Sequence, residues 1–214
     1  LVEGFSALMY GMDAVSMLVT QTGNEDLDLY SRTLLRPLAD GSAVLKGYAA
    51  SCKGTVPVGF SSDMPVDRLY DFAACGVPVL FGVGRACGEL KAEDAAVDRR
   101  RAPTGKILEL RNALDIRAGG MPARLASPFV GLMLPRVSEK DGTLRTVALL
   151  NVRIDAQEQV RLALRGVPAG AKAVWRELRR APVELPLVRE GDFVQAVIPS
   201  IGAWNAGYLE VSKK

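Results

Sequence analysis

Histidine is absent from all 214 residues. That removes the side chain most used as general base near neutral pH and as metal ligand. Ser-His-Asp and Cys-His arrangements and His-containing zinc sites are therefore excluded within this chain. Cysteine is scarce: Cys52, Cys75 and Cys87 form no C-x-x-C pair, and an odd, scattered set does not make a disulfide framework. Their small, apolar neighbours (Ala74 and Gly76, Ala86 and Gly88) suit buried, inert thiols. No apolar run reaches the roughly 18 residues of a membrane span. A strong charge of one sign is also missing. The formal net charge is +3, from 27 basic and 24 acidic residues, too small a surplus to call for nucleic acid or a membrane. The apolar opening contains Glu3 and Asp13 and has no basic leader, so it does not read as a signal peptide. A chain that begins mid-pattern on Leu1 reads as a piece of a longer protein.

What is present is ordinary globular material, 49% hydrophobic and 24% charged. The first part alternates helix-like and strand-like runs. Residues 2–10 have apolar spacing for a helix stopped by Gly11, and 14–19 (AVSMLV) suit a buried strand. Residues 27–50 read as a long helical zone kinked or divided at Pro37 and Gly41. Strands are expected at 56–60 (VPVGF) and 77–81 (VPVLF), with a helix at 67–75 ended by Gly76. Strands separated by helices imply parallel βαβ units. The run Asp98-Arg99-Arg100-Arg101 before Pro103-Thr104-Gly105 marks a solvated connector. From Lys106 onward period-two alternation takes over. It begins with Ile107, Glu109 and Arg111 against Leu108 and Leu110. It continues through 143–152, 160–165, 173–178, 183–188, 193–198 and 207–211, with turns such as Asp141-Gly142 between. The expected fold is α/β followed by all-β: a small open parallel sheet with helices, then an antiparallel β-sandwich. Residues 1–97 form the flavodoxin-like or glutaminase-like portion, 98–105 the linker and 106–214 the sandwich.

Four constellations bear on chemistry. Gly82-Val83-Gly84-Arg85-Ala86-Cys87-Gly88 follows a strand expectation, and glycines at a strand-to-helix turn can cradle phosphate. Its spacing is one residue longer than the dinucleotide fingerprint and no acidic strand end follows, so it reads as a tight turn. Cys87 does not make a nucleophile elbow, because Arg85 and Glu89 occupy the flanks that need small residues and no histidine serves as base. Paired carboxylates can hydrolyse a glycosidic bond. Glu25, Asp26 and Asp28, then Asp63 and Asp67, fall after expected strand ends, where open α/β sheets bind ligands. Asp26 and Asp67 fit helix caps equally well. A pocket there would gather Gln21, Asp63 and Arg85. Trp175 and Trp204 are candidates to stack on sugar rings, or else to face the core and to plug a turn. Arg176, Arg179 and Arg180, interleaved with Glu177, read as a solvated face. Nothing calls for a cofactor or a metal.

The pattern from Val160 (VRLALRGVP), through Ala173-Val174-Trp175-Arg176-Glu177, to Ile201-Gly202-Ala203-Trp204-Asn205-Ala206-Gly207-Tyr208-Leu209 resembles a known domain. It is similar to the C-terminal β-sandwich of bacterial (β/α)8-barrel glycoside hydrolases, broadly the family 42 β-galactosidases and their relatives. In that group a glutaminase-like domain without glutaminase activity often precedes the sandwich, and residues 68–79 resemble a helix and strand of it. The resemblance implies a non-catalytic C-terminal portion of a carbohydrate-active enzyme, serving structure, oligomerisation or sugar binding. It implies catalytic carboxylates on a barrel outside this sequence, and transfers no catalytic role to any residue here. Carbohydrate is the partner it suggests, with a homo-oligomer or a barrel contact, in a periplasmic or extracellular setting. Two other readings stay open: a self-standing small hydrolase with carboxylates at the strand ends, and a binding module unrelated to hydrolysis.

Overall fold

The structure, a computed structural model, describes residues 2–10, 36–94 and 104–212. Four helices and eleven strands lie among them. The first half contributes α1 (Val2–Met9), α2 (Arg36–Ser51), β1 (Thr55–Ser61), α3 (Val66–Ala74) and β2 (Arg85–Glu89). Then come α4 (Thr104–Arg117), β3 (Ala123–Leu125), β4 (Gly131–Ser138), β5 (Leu144–Asn151), β6 (Gln157–Leu164) and β7 (Lys172–Glu177). The chain closes on β8 (Val183–Leu185), β9 (Val188–Glu190), β10 (Phe193–Ile201) and β11 (Ala206–Ser212). This is α/β material followed by a β-rich portion, as the sequence implies.

The two portions share hydrogen bonds. β1 and β2 pair in parallel with α3 as their crossover, and β1 also pairs antiparallel with β4, Thr55 opposite Ser138. One seven-stranded sheet results, in the order β2-β1-β4-β5-β11-β7-β8, and a four-stranded sheet β3-β6-β10-β9 faces it. Arg136 on β4 strengthens the junction: its guanidinium donates to the Thr55 hydroxyl at 3.0 Å and to the Thr55 carbonyl at 3.2 Å.

The large sheet is covered on both faces, which explains its sequence texture. Leu132 and Leu134 of β4, Ala148 and Leu150 of β5 and Tyr208 of β11 pack towards the helices with Phe5, Tyr48, Phe60 and Phe72. The alternate residues Met133, Val147, Leu149, Leu209 and Val211 meet Leu162, Leu164, Ala196 and Ile198 of the second sheet. Strands buried on both faces read as continuous apolar runs, and all of β4 is buried. The second sheet has one open face, so β6 and β10 keep the period-two alternation. Phe5 stacks on Tyr48 at 4.9 Å and Tyr48 meets Tyr208 at 5.2 Å, which seats α1 and α2 on the sheet.

Several local expectations are corrected. Residues 106–111 are not a strand: α4 turns Ile107, Arg111, Leu114 and Asp115 to one buried face at spacings of three and four. Two of those inward residues are charged, so the apolar stripe is broken and period two shows instead. The apolar run 77–81 makes only a single bridge, Val79 to Phe60. Pro37 lies in the first turn of α2, where no backbone donor is needed, and the helix runs on through Gly41. The run 183–188 divides, because the chain leaves the large sheet after Leu185 and joins the small one at Val188. Asp67 lies in the first turn of α3, with Pro65 as the cap residue. The expectations at 14–19 and 98–103, and Gly11, Glu25, Asp26 and Asp28, lie outside the described residues.

Candidate functional site

The pocket expected from Gln21, Asp63 and Arg85 does not assemble among the described residues. Gln21 lies outside them. Arg85 pairs with Val58 at the start of β2, whereas Asp63 follows the far end of β1, five residues beyond Val58. At about 3.3 Å per strand residue, Arg85 lies roughly 10 Å along the strand from Ser61, where β1 ends and the loop carrying Asp63 begins. Both side chains are exposed. Arg85 instead borders a hollow of about 300 Å³ with Cys87, Pro122, Val137 and Arg165.

The glycine motif is no phosphate cradle here, because it leads into strand β2 and not into a helix. Its last glycine serves packing: a Cβ on Gly88 would come within 2.9 Å of the Phe60 ring. Burial pushes the Cys87 thiol up to about 11, so it stays protonated and weakly nucleophilic at neutral pH.

The two tryptophans separate. Trp175 is 2% exposed, between the sheets, and its Nε1 donates to Glu177 Oε2 at 3.3 Å. Its ring has no face open to a ligand. Trp204 is 55% exposed at the β10–β11 turn, so it plugs nothing.

Buried charges are the feature the sequence reading missed. Glu177 is 2% exposed, not part of a solvated face. Besides the Trp175 indole it accepts from Arg180 at 3.2 Å, from the Gly202 N–H at 3.0 Å and from Asn205 Nδ2 at 2.6 Å. Asn151, fully buried, donates to the carbonyls of Asp155, Ile201 and Gly202 at 2.8–3.1 Å and accepts from the Arg153 N–H and Gln157 Nε2. Gln157 in turn bonds both backbone groups of Val130 at 2.7 Å. Asn151, Glu177 and Asn205 are 26 to 54 residues apart, so no local motif announces them.

Arg111 is the second case. It is 1% exposed, and its guanidinium donates to the carbonyls of Cys75 and Ser127, each at 2.7 Å, and to that of Phe129. Among the described residues no carboxylate pairs with it. Burial draws its pKa down to about 10, which leaves it charged at neutral pH. It ties the end of α3 to α4 and to the β3–β4 connection. Gly76 makes room for it: with φ at +72° and a Cβ position 2.9 Å from Arg111 Nη2, no larger residue fits.

Asp115, one turn further along α4, anchors the other end. It accepts from Arg165 at 2.7 and 3.1 Å and from the Met121 N–H at 2.7 Å. Arg165 and Arg124 also lie 4.1 and 5.0 Å from the Phe193 ring centre. Burial works to raise the Asp115 carboxyl, but the Arg165 and Met121 hydrogen bonds and the charges of Arg165 and Arg124 outweigh it, and its pKa is lowered. A carboxyl lowered by folding stabilises the fold above its unfolded value, about 3.9, and that stability is lost as pH falls through the folded value. We therefore expect Asp115→Asn to lose about 2 kcal/mol at neutral pH. Its stability below about pH 4 should fall less steeply with acid than that of the parent. Urea melts at several pH values check both.

A hollow of about 830 Å³ lies between α2 and strands β7 and β11. Arg176, Arg179, Arg180 and Tyr208 line it, and the one carboxylate that borders it among the described residues, Glu210, accepts from Arg176 at 2.9 Å. A third, about 400 Å³, has Glu158 as its one carboxylate among the described residues. Among the described residues no three metal-binding side chains cluster and no helix is long and apolar enough to cross a membrane.

No family model matches this chain, and no curated protein matches it. Among solved structures, α-L-fucosidase isoenzyme 2 from Paenibacillus thiaminolyticus aligns over 50% of this chain and 18% of that one, at 16% identity and a TM-score of 0.33. This chain thus matches less than a fifth of that enzyme. A likeness so slight defines neither the fold nor the activity here.

Proposed function

We propose that this chain is a non-catalytic, C-terminal portion of a carbohydrate-active enzyme of the glycoside hydrolase kind, with acid and base chemistry on another segment of the parent protein. One observation carries the reading: among the described residues, none of these three hollows presents two carboxylates. Glycoside hydrolysis needs such a pair about 5 to 10 Å apart. The buried carboxylates Asp115 and Glu177 are engaged by arginines, amides and backbone N–H groups, which leaves them architectural. The resemblance of residues 160–168, 173–177 and 201–209 to the sandwich of such enzymes supplies the carbohydrate class. Those residues fall in β6, β7, the β10–β11 turn and the start of β11.

The experiment is a turnover assay of the purified chain on a panel of aryl glycosides. The expected result is no hydrolysis above buffer. Hydrolysis that disappears in Asp63→Asn would establish a self-standing small hydrolase instead.

A further inference from the structure

From the β10–β11 turn we infer a carbohydrate-binding platform in which the Trp204 indole stacks on the apolar face of a pyranose ring. The inference deepens the proposed function and rests on its ligand class, though not on its claim about catalysis.

The turn is built rigidly around an exposed ring. Trp204 sits at φ +43°, in the left-handed region that large side chains avoid. Such a conformation persists where its surroundings fix it, and here they do. Glu177 holds the Gly202 N–H and the Asn205 amide, and Asn205 Nδ2 also donates to the Leu178 carbonyl at 3.2 Å. Asn151 takes the carbonyls of Ile201 and Gly202, and its own N–H donates to the Asn205 carbonyl at 2.8 Å. The Trp204 N–H donates to the Arg153 carbonyl at 3.1 Å, which sets the β5–β6 loop beside the turn. Two buried side chains thus fix a turn whose tip leaves the largest apolar side chain half in water. The fold gains little burial from the indole at that tip.

The surroundings favour a sugar over a protein partner. Ile154, 83% exposed, belongs to the adjoining β5–β6 loop. Two such residues cover about the area of one sugar ring, well short of the roughly 800 Å² per partner of a stable protein interface. Arg153 and Asp155 flank Ile154 as an exposed ion pair at 3.6 Å. A pair so solvated is held weakly, and both groups can turn to equatorial hydroxyls at the rim of a ring stacked on the indole. Flat aromatic face plus adjacent donors and acceptors matches the amphipathic surface of a pyranose.

The test is ligand-observed NMR of the intact chain with methyl pyranosides and their disaccharides, backed by a fluorescence titration. Trp175 is buried and serves as the internal reference emitter. Saturable binding that moves only the exposed emitter is expected. Trp204→Tyr should keep it. Trp204→Gly, which suits a left-handed φ and keeps the fold, should weaken it about tenfold, or about 1.4 kcal/mol. Absence of saturation across the panel, or binding that survives Trp204→Gly, overturns the platform. So does concentration-dependent self-association that Trp204→Gly abolishes, which would make the turn an interface between copies. Hydrolysis in the aryl glycoside assay would sink the non-catalytic role and leave the platform standing, whereas failure here does the reverse.

Discussion

Arg111→Met should lower the stability of this chain by about 3 to 5 kcal/mol, the cost of breaking a buried polar knot from one side. The methionine fills most of the space but leaves the carbonyls of Cys75, Ser127 and Phe129 buried without their donor. Each stranded group costs roughly 1 to 3 kcal/mol, partly offset because a buried charge is also removed. For a chain of this length that is a drop of about 6 to 20 °C in Tm. Arg111→Lys keeps the charge yet offers one nitrogen where three carbonyls diverge, so it should fall between parent and methionine variant. Thermal melts by circular dichroism decide it. A methionine variant within about 1 kcal/mol of the parent would mean that the carbonyls find water and that Arg111 ties nothing together.

Glu177→Ala is the second large effect. Four donors converge on this carboxylate: the Trp175 indole, the Arg180 guanidinium, the Gly202 N–H and the Asn205 amide. Their loss should cost about 3 kcal/mol, since three of those donors are buried or half-buried. Glu177→Gln keeps the shape and should cost about 2 kcal/mol, because its NH2 end faces donors with a donor. Both changes should also loosen the β10–β11 turn. The Trp204 indole resonance in NMR should therefore shift although Glu177 does not touch that ring. Unchanged stability with an unmoved Trp204 signal would show the network to be incidental.

These two residues mark where the sequence stopped being legible. Strands with one wet face announce themselves: β6 and β10 alternate, and the turn at Gly142, with φ at +69°, sits in the Asp141-Gly142 signal. Helix α3 was equally plain, with Leu69, Phe72 and Ala73 on its inner side and Gly76 just beyond it. What failed had long-range causes. Helix α4 hid because Arg111 and Asp115 stand where apolar residues would mark its inner face. Strand β2 hid among glycines, of which Gly88 is small because Phe60 lies against it. The pairing of β1 with β4 joins residues about 80 positions apart and leaves no trace in either segment. Glu177 read as solvated from its arginine neighbours, yet its partners Gly202 and Asn205 come from beyond the next three strands. For the site, the sequence offered Trp175 and Trp204 alike, and only the fold could show that the ring of Trp204 is exposed and that of Trp175 is not.

The same geometry bears on function. A self-standing hydrolase in the first half would need its own core and cleft, whereas β1 and β2 extend the sheet of the second half, Arg136 fastens β1 to it and Arg111 fastens the end of α3. Hydrogen exchange across a denaturant series, followed by mass spectrometry on peptides covering β1 (Thr55–Ser61) and β5 (Leu144–Asn151), tests this most directly. If both halves form one body, the two strands open together, with the same free energy and the same dependence on denaturant. Loss of protection in β1 at denaturant concentrations that leave β5 untouched would contradict it, and would return the first half to consideration as a unit with chemistry of its own.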